Sequence, residues 1–251
     1  RALGAQVRQV EPPAGAPLQK IAAAWYDALH RGCSVKTLDL KTEADRRVMD
    51  GFLAEADVLL TSSRPSSLER IGLGWEALRV RHPRLVQVAI VGEDPPHVER
   101  AGHDLTYVAQ LGLLEPPAMP RTLLADLAGA ERAVTAACGL LLQRERHGSG
   151  GFAFVSLRDA AVPFGEPAAH GLTSSGGRLG GGFAGYRIYR ARDGWIALAA
   201  LEPQFWRRLH DLLDLTFPAS SATLDDAFAE RDALAWQRWG ETHDIPLAAI
   251  G

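Results

Sequence analysis

The first half of the chain alternates short apolar segments with segments of helical periodicity, and this alternation constrains the fold more than any other feature. Helical stretches show apolar residues three and four positions apart, and the longest covers residues 126–147. Short buried strands separated by helices indicate a parallel sheet with helices packed on it. We therefore predict an α/β fold, with a Rossmann-like large domain over residues 1–165. The predicted strands cover residues 7–10, 35–40, 57–60, 85–91 and 152–157.

The sequence pattern changes near residue 165. Residues 163–182 are rich in glycine, serine and proline, which is typical of a linker. Beyond them, Asp193-Gly194 separates two apolar runs and predicts a β-hairpin, and Pro203 marks the first turn of a helix. Residues 166–251 are therefore predicted to form a linker and a small α+β domain.

Composition excludes several classes of protein. The 251 residues carry a net charge of −3, so no general positive field attracts nucleic acid or an anionic membrane. Cys33 and Cys138 form no CxxC pattern, and the eight histidines form no HxxxH or HxH pair, so neither disulfides nor a metal site are expected. Since no apolar run approaches the roughly 20 residues of a membrane span and no signal peptide is visible, we predict a cytoplasmic protein.

Three short clusters carry residues capable of chemistry, and each also has a purely structural interpretation. A lone histidine such as His103 is most often a surface residue, and Asp126 and Glu202 stand where a carboxylate commonly caps a helix. In the functional interpretation, these side chains act on a substrate, and N–H groups at the start of the Asp126 helix hold a developing oxyanion. The clusters are Gly102-His103-Asp104-Leu105-Thr106-Tyr107, Leu124-Ala125-Asp126-Leu127-Ala128-Gly129 and Leu201-Glu202-Pro203-Gln204-Phe205-Trp206.

With their flanking residues, these clusters resemble the class III CoA-transferase family (CaiB/BaiF type), and most closely its α-methylacyl-CoA racemase branch. The similarity covers nearly the whole chain. It implies an interlocked homodimer, and it implies that the family's first strand, first helix and final segment are missing from this sequence. The further segments that carry it are Leu3-Gly4-Ala5-Gln6-Val7, Ser34-Val35-Lys36-Thr37-Leu38-Asp39-Leu40-Lys41, Asp57-Val58-Leu59-Leu60, Leu68-Glu69-Arg70-Ile71-Gly72-Leu73-Gly74 and Pro83-Arg84-Leu85-Val86.

The resemblance implies an enzyme that racemises or epimerises an acyl-CoA thioester by 1,1-proton transfer at its α-carbon. His103 and Asp126 would be the two acid–base groups, and Glu202 would support His103. Two alternatives remain open. In a class III CoA-transferase, Asp126 would form a mixed anhydride with the acyl group. A catalytically inactive relative would bind an acyl-CoA, or only its own partner, on the inherited scaffold.

The resemblance also implies where CoA would be held. CoA would enter as part of the substrate, so no permanently bound cofactor and no metal are expected. Two stretches depart from the family pattern, namely Thr61-Ser62-Ser63 and residues 91–96. The residues implied in CoA contacts are Leu38, Asp39, Leu40, Lys41, Ser63, Arg64, Gly102, Asp104 and Tyr107.

Overall fold

The computed structural model of the protein describes residues 3–251, which form a mixed α/β structure. The chain divides into two compact units. The first contains the residues up to Val108 together with Pro120–Ala161, and the second contains Ala109–Met119 and Val162–Gly251. The segment 109–119 therefore belongs to the second unit, although it lies within the predicted large domain in sequence.

Strands and helices alternate along the first unit, as the periodicity predicts. The strands are β1 (Arg8–Glu11), β2 (Ser34–Thr37), β3 (Val58–Thr61), β4 (Val86–Val91) and β5 (Phe152–Ser156). The helices are α1 (Pro17–Ile21), α2 (Ala23–His30), α3 (Glu43–Glu55), α4 (Pro65–Arg70), α5 (Trp75–Arg81), α6 (Asp104–Gln110), α7 (Leu124–His147) and α8 (Leu157–Ala169). Of these, α6 and α8 begin in the first unit and end in the second. The short helices α1, α2 and α4 are not among the helices that the sequence predicts.

The parallel arrangement is confirmed, but the strands of the first unit form two sheets. β1 pairs with β2, and β4 lies between β3 and β5, in each case parallel. β1 and β3 both line a cavity of about 580 Å³. Within the described residues β1 and β3 do not pair, so the first unit has two sheets where the sequence predicts one.

Apolar side chains on both sides of the longer sheet hold the first unit together. Val88 on β4 and Val155 on β5 are buried with Ala133 of α7. Leu53 of α3 and Leu78 of α5 belong to a second cluster. Thr42 followed by Asp45 three residues later is a sequence pattern that predicts a helix start. α3 does begin there, and the Thr42 Oγ1 accepts the Asp45 N–H at 3.2 Å.

The segment predicted as a linker is partly helical. α8 continues to Ala169 with Pro163 and Pro167 inside it. Pro163 has no N–H to donate to the carbonyl of Asp159 one turn earlier, and Arg132 Nη1 donates to that carbonyl instead at 3.3 Å. A side chain from another helix thus replaces the missing hydrogen bond. The proline alone predicts the end of a helix, because the sequence around it does not show this distant partner. A glycine-rich turn follows at Arg178–Gly182, in which Gly181 adopts a positive φ of 86°.

The second unit contains an antiparallel sheet with helices packed against one face. β7 (Trp195–Ala199) lies between β6 (Tyr186–Arg190) and β8 (Leu247–Ile250), and the hairpin predicted at Asp193-Gly194 is present. The helices are α9 (Pro203–Leu213), α10 (Ser221–Phe228) and α11 (Ala233–His243). Tyr189, Phe228 and Trp236 are fully buried in its core. Among residues 3–251, no helix combines the length and the apolar character needed to cross a membrane.

Candidate active site

A cleft of about 340 Å³ opens in the first unit where β3 and β4 end. Ligands of parallel α/β sheets commonly bind at the carboxyl ends of strands, because the loops that follow neighbouring strands meet there. The position of this cleft makes it the first candidate for a substrate site. It is lined by Ser62, Ser63, Arg64, Ile90, Val91, Gly92, Val98, Arg100, Ala101, Gly102, His103, Tyr107 and Leu157.

His103 stands directly before α6 and presents an exposed imidazole to this cleft. Its backbone is fixed by Thr106, whose Oγ1 accepts the His103 N–H at 3.1 Å and donates to the His103 carbonyl at 2.7 Å. Helix capping therefore uses the main chain of His103 and leaves its side chain available.

Tyr107 lies one turn further along α6 and is buried against two glycines. A Cβ atom added at Gly92 or at Gly102 would overlap the Tyr107 hydroxyl. Burial raises the pKa of this phenol, and the negative charges of Glu93 and Asp126 raise it further. The hydroxyl therefore remains protonated near neutral pH and can donate a hydrogen bond into the cleft.

Asp104 connects the His103 segment to the start of α7. Its buried carboxylate accepts the backbone N–H of Ala125 at 2.6 Å and that of Asp126 at 3.1 Å, both through Oδ1. This arrangement corrects two expectations. Asp126 does not cap α7, since Leu123 occupies the cap position and Asp126 lies in the first turn. The N–H groups of Ala125 and Asp126 are also already bonded, so they are not free to hold an oxyanion.

The carboxyl group of Asp126 has a raised pKa. Partial desolvation is the largest cause, the nearby Asp104 charge adds to it, and His103 acts in the opposite direction. Asp126 as a whole residue is solvent-exposed. Neighbouring protein atoms nevertheless exclude part of the water around its carboxyl group. Asp126, Asp104 and His103 therefore form one electrostatically coupled group.

The structure brings several of the predicted CoA-contact residues together and leaves others apart. Ser63, Arg64, Gly102 and Tyr107 line the same cleft as His103. The Asp104 carboxylate bonds the backbone at the start of α7, and the predicted contact of this residue with CoA stays a prediction.

Residues 38–41 follow β2 and do not line this cleft. Leu38 is buried in the apolar core, and Leu40 lines a separate pocket of about 390 Å³. The Asp39 N–H donates to Asp45 Oδ2 at 2.7 Å, and the Lys41 N–H donates to Asp39 Oδ1 at 3.1 Å. The strand predicted over residues 35–40 ends at Thr37, so residues 38–40 lie in a loop and not in the strand. The contact of residues 38–41 with CoA stays a prediction.

Glu202 belongs to the second unit, where it is exposed at the start of α9. Its side chain makes no capping hydrogen bond, and Pro203 occupies the first helical position. The purely structural interpretation as a side-chain cap is therefore not supported. Its predicted support of His103 stays a prediction.

The sequence did not single out Ser62, Gly92, Val98, Arg100 or Leu157 as site residues. Their position in the sequence could have identified them, because most of them follow the ends of β3 and β4, where ligands of parallel sheets commonly bind. Within residues 3–251, no group of three or more His, Cys, Asp or Glu side chains is arranged to hold a metal ion.

Comparison with known proteins identifies the family. The sequence model of CoA-transferase family III matches residues 2–250. The probable fatty acyl-CoA transferase Rv3272 of Mycobacterium tuberculosis is 28% identical, over 98% of this chain and 79% of that protein. The human alpha-methylacyl-CoA racemase is 30% identical, over 84% of this chain and 64% of that protein. This chain thus spans less than two thirds of the human racemase.

Solved structures agree with the sequence matches. A crystal structure of the Mycobacterium tuberculosis protein Rv3272 superposes with a TM-score of 0.82 at 26% identity, covering 99% of this chain and 78% of that one. A CAIB/BAIF family protein from Brucella suis, at 23% identity, shares the fold with a TM-score of 0.81. From the family match over nearly its whole length, this chain belongs to CoA-transferase family III.

Proposed function

We propose that this protein catalyses 1,1-proton transfer at the α-carbon of a CoA thioester, as a racemase or epimerase, with His103 and Asp126 as the acid–base pair. The observation that carries the proposal is the link through Asp104. Asp104 follows His103 in the chain, and its carboxylate bonds the backbone N–H of Asp126. The two proposed proton carriers are therefore held near each other by one residue and one hydrogen bond.

The proposed reaction removes the α-proton on one face of the carbon and returns a proton on the other. One group, either the Asp126 carboxylate or the neutral His103 imidazole, accepts the α-proton and leaves an enolate. The other group, in its protonated form, donates its proton to the opposite face. General acid–base groups work best with a pKa near the working pH, and the raised pKa of Asp126 moves it in that direction.

The enolate oxygen requires a hydrogen-bond donor. The Tyr107 hydroxyl is our candidate, because it faces the cleft that His103 lines and its raised pKa keeps it protonated. We place the CoA portion along Ser63, Arg64 and Gly102. A phosphate group pairs well with a guanidinium and hydroxyl groups.

The test uses a single epimer of a 2-methylacyl-CoA in deuterium oxide, with the α-proton followed by NMR. We expect deuterium incorporation together with epimerisation, and loss of both in His103→Ala and in Asp126→Asn. Matched controls are His170→Ala, an exposed histidine of the second unit, and Glu43→Gln, a carboxylate in the first turn of α3. Both controls should retain the wild-type rate.

CoA transfer is the second candidate, and the name of the Mycobacterium tuberculosis relative favours it. In that reaction the Asp126 carboxylate attacks the thioester carbonyl and forms a mixed anhydride, releasing the CoA thiolate. Hydroxylamine would then trap the acyl group. Trapping without α-exchange would overturn the racemase proposal in favour of transfer.

We also propose that the working protein is a homodimer, as the family resemblance implies. Light scattering at micromolar concentration should report twice the chain mass. A stable monomer under those conditions would contradict this proposal.

A further inference from the structure

The cleft carries two arginines that come from different segments. Arg64 stands between β3 and α4, beside Ser62 and Ser63. Arg100 belongs to loop 92–102, which follows β4 and leads to His103. Two permanent cations thus border a cleft that also contains an imidazole. This charge pattern favours a ligand with two separate anionic groups.

The main chain around Arg100 is held in place. On one side, Glu99 accepts the Ser66 N–H at 2.8 Å and the Ser66 hydroxyl at 3.0 Å, through its two carboxylate oxygens. On the other side, Gly102 packs against the ring of Tyr107. The Arg100 N–H also donates to the His97 carbonyl at 3.0 Å. These contacts therefore position Arg100 at the cleft.

The Arg100 guanidinium retains unused donors. Its Nη1 donates to Glu93 Oε2 at a long 3.3 Å, and this is the single ion pair it makes within residues 3–251. A guanidinium has five N–H donors, so a second carboxylate can bind beside the first. Arg64 makes no salt bridge in the described part of the chain.

We propose that the acyl group of the thioester carries a carboxylate of its own, as in the monothioester of a dicarboxylic acid, and that Arg100 recognises it. This inference rests on the proposed function. Arg64 lines the cleft next to Ser62 and Ser63, and a guanidinium beside two hydroxyl groups suits a phosphate of CoA. Arg100 lines the same cleft as His103 and belongs to the loop that leads to it, so we assign Arg100 to the acyl portion.

The test compares two thioesters of equal size. One is the CoA monothioester of 2-methylbutanedioic acid, and the other is its terminal carboxamide. We expect the wild-type protein to prefer the carboxylate by about tenfold in kcat/KM for α-exchange, as for a partly exposed charge pair. Calorimetric titration of both thioesters measures the same preference as affinity, without requiring turnover.

Three variants separate the contributions of the charges. Arg100→Gln should remove the preference, lowering kcat/KM for the carboxylate about tenfold more than for the amide. Glu93→Gln should strengthen the preference, because the competing carboxylate is gone, and a gain of this kind cannot come from misfolding. Arg64→Gln, the matched control, should weaken both thioesters alike.

The outcomes distinguish this inference from the proposed function. The role of Arg100 is overturned if the wild-type protein exchanges both thioesters without a preference. It is also overturned if Arg100→Gln lowers kcat/KM equally for both. Proton transfer stands in either case. Absence of α-exchange in the wild-type protein overturns the proposed function, and the calorimetric preference then decides on Arg100 alone.

Discussion

The Asp104 carboxylate accepts the backbone N–H of Asp126 at 3.1 Å, and its negative charge raises the pKa of the Asp126 side chain. One buried group therefore both fixes the start of α7 and adjusts the proton affinity of a residue in its first turn. These two effects are separable, because the hydrogen bond needs an acceptor oxygen and the pKa effect needs a charge.

Replacing Asp104 tests this separation. Asp104→Asn keeps an oxygen acceptor and removes the charge, so the pKa of Asp126 should fall and the acid limb of the kcat–pH profile should move to lower pH. Asp104→Ala also leaves two N–H groups without a partner and should destabilise the fold by about 1–3 kcal/mol in urea unfolding. An unmoved acid limb in Asp104→Asn would show that Asp126 does not control it.

Asp126→Asn should stabilise the protein slightly at neutral pH while abolishing α-exchange. The folded-state pKa of Asp126 is raised, so the folded protein holds this proton more tightly than the unfolded chain does. Its contribution to stability is therefore present at low pH and is lost as the pH rises through the folded pKa. With solvent screening, we expect a gain of about 0.5 kcal/mol or less at pH 7.

Thermal melts of Asp126→Asn and wild type across pH measure this dependence. The difference in Tm should shrink toward zero near pH 3, where aspartate is protonated even in the unfolded chain, since its ordinary pKa is about 3.9. A gain that stays constant with pH would contradict the electrostatic origin.

Tyr107→Phe should lower kcat about 10- to 100-fold with little change in KM, because a donor to the enolate oxygen acts mainly in the transition state. Phenylalanine keeps the ring that packs against Gly92 and Gly102, so the melting temperature should stay close to that of wild type. If Tyr107→Phe instead weakened the binding of CoA itself by the same factor, the hydroxyl would contact CoA and not the enolate oxygen.

Gly102→Ala should destabilise the first unit by about 1–3 kcal/mol, because its Cβ would overlap the Tyr107 side chain. The matched control is Gly139→Ala in α7, where the new methyl group meets no atom within 4 Å. Alanine in a helix interior is favoured over glycine, so this control should gain about 0.5–1 kcal/mol. Urea unfolding of the two variants should show shifts of opposite sign.

His210 is a structural residue of the second unit. Its Nε2 accepts the Ala219 N–H at 2.8 Å, so the ring proton is on Nδ1, which donates to the Trp206 carbonyl at 2.6 Å. His210→Phe leaves the buried Ala219 N–H without a partner and should cost about 1–3 kcal/mol. Tryptophan fluorescence during unfolding reports this loss, and exposed His170→Phe should change little.

Local patterns predicted much of the fold. The hairpin at Asp193-Gly194 and the cap at Thr42 depend on interactions between residues close in sequence, which a pattern can represent. The continuation of α8 through Pro163 depends on Arg132, which lies in another helix. A tertiary partner of this kind leaves no periodic signal.

The candidate site shows the same contrast. His103, Arg64 and Tyr107 were predicted from motifs, and the structure places them around one cleft. Arg100 and Gly92 were not predicted as site residues. Their loop includes residues that depart from the family pattern, and that pattern was the basis for predicting His103, Arg64 and Tyr107. The role of Asp104 was also not foreseen, because its partners on α7 are more than twenty positions away in sequence.

Loop 92–102 is anchored at Ser66 and at Tyr107, outside the hydrogen bonds that connect Asp104 to α7. The Ser66 anchor of the segment that faces the ligand is thus separate from the hydrogen bonds that hold the proposed proton carriers, whereas Tyr107 contacts the loop and also belongs to the candidate site. Mutations can alter one without rebuilding the other. A scaffold of this kind gives evolution, or an engineer exchanging this loop between relatives, a route to new substrates that leaves the reactive groups in place.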